Sequence, residues 1–346
     1  MHVCRVMSAI DLTSAGLQPD YFAFRPDAHR GRLVDGRVRA GFADSIAAVL
    51  NALAPQIDVS GGESLVARIR AEPVSPAVFG VYTELVEAIH NDDLSAVDSL
   101  ASQLCAPGFG FAPDLRVVTL TDDDLGVGQA DRYRRFIDED ADLGGSLPPL
   151  RGASFSDGEA RIRGALALLE TAAPEVAGEV RSLAREIVLV GHPTDEGTAF
   201  DGASSFHLWG ALFLNTDSYV SRVEIAEALA HESTHALLFG FAGGRTLVDN
   251  DPDARYSSPL RSDPRPMDGI VHATYVLARL HYTVSRLLES NLLTEAERRF
   301  AVEAKKRSAG RYAEGIGVVD KHAIWTPPGE AAIAGARVYM NEPTRG

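Results

Sequence analysis

Apolar positions recur at helical spacing through most of this chain. The pattern predicts helices over 38–53, 65–70, 76–90 and 94–104, and again over 156–169 and from 174 onward. Pro76 and Pro174 suit the first turn of their helices, where a missing N–H costs nothing. Ser156-Asp157-Gly158-Glu159 reads as a capping box at a helix start. Two short apolar runs break the helical rhythm. Residues 187–190 read as a buried strand, and 206–215 as a second strand with Gly210 as a bulge. Helical spacing then returns over 221–239, 269–293, 294–311 and 330–339. Gly/Pro-rich segments at 107–113 and 142–152 read as loops, and Asp122-Asp123-Asp124 as a solvated turn.

These elements predict a mostly α-helical α+β fold. Its small antiparallel sheet is expected beside a zincin-like metal-binding helix. A mainly helical N-terminal region, 1–155, would precede a metal-binding catalytic region, 156–346. The second strand comes directly before the metal helix, and as an edge strand it would be open to an extended peptide by strand addition.

The candidate chemistry centres on His231-Glu232-Ser233-Thr234-His235. Residues four apart lie on one helix face, so both imidazoles can address one metal ion. Ser221-Arg222-Val223-Glu224 supplies a capping box ahead of the motif. Gly240, Gly243 and Gly244 offer places to stop after it. Glu232 is the candidate catalytic residue.

Two histidines hold a metal weakly, so a third ligand is expected downstream. His272 and His281 fall on opposite faces of one helix, because nine residues at about 100° each make about two and a half turns. His272 shares its face with Tyr275 and Arg279, an unusually polar stripe, and is the favoured ligand. Asp249, Asp251, Asp253, Asp263, Asp268 and Glu289 are carboxylate alternatives. The extended zinc-protease pattern fails, since Leu238 and Phe241 stand where its glycine and last histidine belong.

Residues 256–272 form a proline-braced segment that carries Arg261 and Arg265 into His272. A guanidinium fork suits a carboxylate, so the loop is a candidate for holding a small dicarboxylate. The plain alternative is surface pairing of these arginines with neighbouring acids.

The strand Ala211 to Asn215, the H-E-x-x-H helix and the Tyr256-to-His272 segment together resemble a known family. It comprises the H-E-x-x-H proteins of ribosomal-peptide biosynthesis, 2-oxoglutarate-dependent peptide β-hydroxylases. The likeness covers roughly residues 200–285 and is loose in the N-terminal half. It implies a non-haem iron(II) oxygenase in which His231, His235 and His272 bind iron. Arg261 or Arg265 would then hold 2-oxoglutarate. The substrate would be a peptide or peptide-like precursor, with a leader peptide or carrier protein as a further partner. Glu232 would orient a ligand or water instead of serving as a base.

Composition narrows the field further. The chain has 346 residues, a formal charge of −15 and a pI near 5.1, which argues against a nucleic-acid surface. Its two cysteines are too few for a disulfide scaffold and fit a reducing, cytoplasmic setting. No run is long enough to span a membrane. Two other readings stand beside the oxygenase. One is a zinc metallopeptidase with Glu232 as general base. The other is a peptide-binding protein stabilised by a structural metal.

Overall fold

The computed structural model describes residues 19–112, 114–141, 147–192, 200–260 and 263–342. After a 3-10 turn at Pro19–Phe22 come α1 (Ala28–Leu53), α2 (Gly62–Ala71), α3 (Pro76–His90) and α4 (Leu94–Cys105). Strand β1 (Arg116–Thr119) leads to α5 (Asp122–Leu125), α6 (Gln129–Ala141), α7 (Gly152–Ala172) and α8 (Pro174–Leu183). The strands β2 (Glu186–Leu189), β3 (Gly202–Ser204) and β4 (Ala211–Leu214) follow. Helices α9 (Arg222–Ala242), α10 (Met267–Glu289), α11 (Glu295–His322) and α12 (Pro327–Asn341) complete the chain. The fold is mostly helical with a small mixed sheet, consistent with the α+β class.

The described residues divide into two compact units. One takes in Leu33–Arg161 and Leu183–Ser218; the other takes in residues 19–32, Ile162–Ser182 and residues 219–342.

The first unit holds the whole sheet, in the order β1-β2-β4-β3. β1, β2 and β4 run parallel, and only β3 is antiparallel, paired with β4. The expected antiparallel sheet is therefore corrected. The cause is visible in the connections: β1 and β2 are joined through helices, which return the chain to the same end. Full burial of β2 and β4 matches the apolar runs Ile187–Leu189 and Ala211–Leu214 within them. β4 is interior, paired on both sides, so it is not an edge open to a peptide.

The expected strand over 206–215 is also shorter than its sequence suggested. Phe206–Leu208 is a 3-10 turn, and Gly210 takes φ of +95° before the strand begins. Its carbonyl accepts the N–H groups of Arg185 and Glu186 at 2.7 and 3.0 Å. The fully buried Glu186 carboxylate accepts from Tyr133, Ser75 and Arg116, so this buried charge is satisfied. Two further sequence signals resolve locally. Pro76 opens α3, as expected, and the Ser75 side chain caps it. The Ser156 hydroxyl donates back to the Gly152 carbonyl, because α7 begins earlier than the capping-box spacing implied.

In the second unit, α10 packs extensively against α11 and also meets α9 and α12. Aromatic rings join the helices. Phe24 stacks on Tyr339 and meets Tyr275 edge-on, while Tyr21 and Phe22 pack on Phe241. Among the described residues, no helix is long and apolar enough to cross a membrane.

Candidate metal centre

α9 is fixed at both ends. The Ser221 hydroxyl accepts the Glu224 N–H at 3.3 Å, and the Glu224 carboxylate accepts the Ser221 N–H at 2.7 Å. This is the reciprocal capping box that the sequence predicts. At the other end Gly243 adopts φ of 61°, the left-handed conformation open to glycine at low cost. Between these ends most of the helix surface is buried, including Glu232, Ser233 and Thr234. The motif therefore sits on a rigid rod, where ligand geometry is held by packing.

His231 and His235 meet through their Nε2 atoms, 3.2 Å apart. Two imidazoles bound to one divalent ion at about 2.1 Å would stand roughly 3.0–3.4 Å apart, so this pair fits a shared metal. His272, one helix away, also reaches His235, with Nδ1 3.2 Å from Nδ1. That contact uses the ring nitrogen of His235 that His231 does not face. The rings thus run in file, with His235 in the middle. Among the described residues, no group of three His, Cys, Asp or Glu side chains is arranged to hold a metal ion. The histidine pair fits a metal; the third ring is adjacent but does not converge on the same point.

Electrostatics keeps the inner rings neutral. Burial drives the His235 imidazolium pKa well below the ordinary range, and charge on His231 or His272 would push it lower. His272 is lowered too, chiefly by burial, with the Asp268 carboxylate opposing. Neutral imidazole is the form that ligates a metal. It also carries one N–H and one lone pair, so a central neutral His235 can donate to one neighbour and accept from the other.

The surroundings refine the ligand list. Asp268 Oδ2 lies 3.8 Å from His272 Nε2, while its Oδ1 accepts the Leu247 N–H at 2.9 Å. Asp268 is in the first turn of α10; the residue before the helix is Pro266, with no side-chain cap. Asp249, Asp251 and Asp253 are exposed, and Glu289 pairs with Arg286 at the far end of α10. His281 hydrogen-bonds the Tyr339 hydroxyl at 2.9 Å, the structural role expected of a residue opposite His272. Phe239, one turn beyond His235, packs on both His235 and His272. Its helical spacing from His235 was the available signal.

Glu232 is 6% exposed, with its Oε1 3.9 Å from His231 Nε2. Arg265 exchanges backbone hydrogen bonds with Tyr256, both at 2.9 Å, which ties the segment into a bridge. Its guanidinium Nε lies 2.8 Å from the exposed Asp263 carboxylate. Arg261 falls outside the described residues.

The polar stripe on α10 has a second destination. Arg279 is buried and pairs with Glu179 of α8, which also takes Arg30 at 2.6 Å. Sequence spacing placed Arg279 on the His272 face but gave no sign of these partners, which are far off in the chain.

Comparison with known protein families and with curated protein sequences gives no match.

Proposed function

We propose that this protein is a mononuclear non-haem iron(II) and 2-oxoglutarate-dependent oxygenase that hydroxylates a β-carbon in a peptide or peptide-like precursor. The observation that carries the metal assignment is the 3.2 Å separation of His231 and His235 Nε2 on one face of a capped, buried helix. The resemblance of the 200–285 region to the peptide β-hydroxylases supplies the oxygenase chemistry. When bound, iron(II) there would supply oxygen activation coupled to decarboxylation of 2-oxoglutarate to succinate.

Each residue has a part in that reading. His231 and His235 would hold the ion as neutral donors, with His272 as the candidate third ligand. Phe239 packs on His235 and His272 and limits their freedom. Glu232 stays beside His231 and orients a metal-bound water or substrate group. Arg261 or Arg265 is a candidate for the co-substrate carboxylate; Arg265 would first have to leave Asp263. A leader peptide or carrier protein is a further partner in this reading.

The second reading is a zinc peptidase, favoured by the 3.9 Å approach of Glu232 Oε1 to His231 Nε2. A carboxylate beside a ligand is where a hydrolase needs its base. One experiment separates the two. The protein is reconstituted anaerobically with iron(II), then given 2-oxoglutarate, oxygen and a candidate peptide. Succinate formed with a gain of one oxygen in the peptide is expected. Peptide cleavage with zinc, independent of 2-oxoglutarate, would overturn the oxygenase.

A further inference from the structure

Behind the histidines, α10 leads into a buried cluster that the metal site leaves unexplained. Tyr275 is one turn beyond His272, a rise of about 4.5 Å, and Arg279 is one turn further. Tyr275 is 1% exposed, and its hydroxyl has no hydrogen-bond partner. Arg30 is 4% exposed, and its Nε–H has no partner either. Phe24 ties the group together. Its ring meets Tyr275 edge-on and lies under the Arg279 guanidinium, and its carbonyl accepts from Arg279. Arg30 and Arg279 converge on the two oxygens of Glu179.

Two features of this cluster go beyond a structural clamp. First, two donors are buried without an acceptor, an unfavourable state for a polar group removed from water. Second, the buried charges do not balance: two guanidinium groups share one buried carboxylate. The exposed Asp27 accepts the Arg30 backbone N–H at 2.7 Å and offsets the excess only from the rim. The excess is felt inside, since burial and the Arg30 charge both hold the Arg279 pKa well below its usual range. A buried water would satisfy a donor but leave the charge. A carboxylate would satisfy both.

We propose that Tyr275 and Arg30, backed by Arg279, form a buried subsite for the far carboxylate of a dicarboxylate co-substrate whose other end reaches the histidines. This assignment rests on the oxygenase reading and moves the anion site from the Arg261/Arg265 loop to the interior of the helical unit. Tyr275 O–H and Arg30 Nε–H donate to the carboxylate. Arg279 stays on Glu179 and contributes its charge.

The test is equilibrium binding to the full chain loaded anaerobically with iron(II). Two ligands of equal length are compared: 2-oxoglutarate and 2-oxopentanoate, which lacks the far carboxylate. The wild-type protein is expected to prefer 2-oxoglutarate by tenfold or more. Tyr275→Phe and Arg30→Lys should each weaken 2-oxoglutarate several-fold and leave 2-oxopentanoate unchanged. If both inner variants keep the full preference, the subsite is wrong while the oxygenase reading stands. A loss confined to Arg265→Met would return the carboxylate to the loop. If the wild-type protein binds neither ligand, the oxygenase reading fails and the subsite with it. Variants that shift only thermal stability identify the cluster as a water-filled clamp and overturn the proposal.

Discussion

His235 faces His231 through Nε2 and His272 through Nδ1, each at 3.2 Å. One ring therefore links a helical motif to a residue on a second helix. Metal binding decides what that link is for. His231→Ala and His235→Ala should each abolish stoichiometric iron(II) or zinc binding, measured by metal analysis after dialysis. His272→Ala should lower affinity at least tenfold if its ring turns onto the ion. Unchanged affinity in that variant would leave His272 as a hydrogen-bonding neighbour only.

Glu232 separates the two chemistries. Glu232→Gln keeps size and one acceptor but cannot take a proton. As an oxygenase, the variant should retain measurable succinate formation with native metal content. A hydrolase would lose nearly all turnover, because its base is gone.

The buried Arg30–Glu179–Arg279 group makes a prediction about stability. Glu179→Gln leaves two guanidinium groups without their counter-charge. The expected loss is about 3–5 kcal/mol, read from urea midpoints. Replacing all three residues with apolar side chains of similar volume should cost less than the single change. A single variant as stable as wild type would mean that the carboxylate does not neutralise the arginines.

His281 gives a pH dependence with a definite sign. Burial, with the nearby Lys305 charge, lowers its pKa to about 4, against about 6.5 in an unfolded chain. Between those values the unfolded state binds the extra proton, so stability falls as pH drops from 6.5 to 4. Above 6.5 both states are neutral and the effect is absent. His235 and His272 are lowered too and act in the same direction. The contribution of His281 is therefore the difference from His281→Gln, whose stability should fall less steeply over that window. Parallel curves for the two proteins would rule it out.

Much of this was legible in the sequence because it is local. Helix spacing, the Ser221–Glu224 capping box, the Gly243 stop and the pairing of His231 with His235 all depend on residues within a few turns of each other. Backbone geometry alone puts those side chains on one face or at one end. The acidic run, expected as a turn, is instead the one-turn helix α5, and its contacts are local too: Asp122 accepts the N–H groups of Gly128 and Ala130, eight residues away at most.

What the sequence could not determine involves residues brought together only by folding. Strand direction follows from how the connections return, through helices between β1 and β2 and through the antiparallel β3 between β2 and β4, so a sheet expected to be antiparallel is mostly parallel. Which ring nitrogen His272 meets depends on the packing of α9 on α10, and spacing along α10 specifies only its face. The polar stripe of Tyr275 and Arg279 looked like part of the metal site. Only the tertiary structure decided that Arg279 pairs with Glu179, because a buried charge must find its partner wherever the fold supplies one.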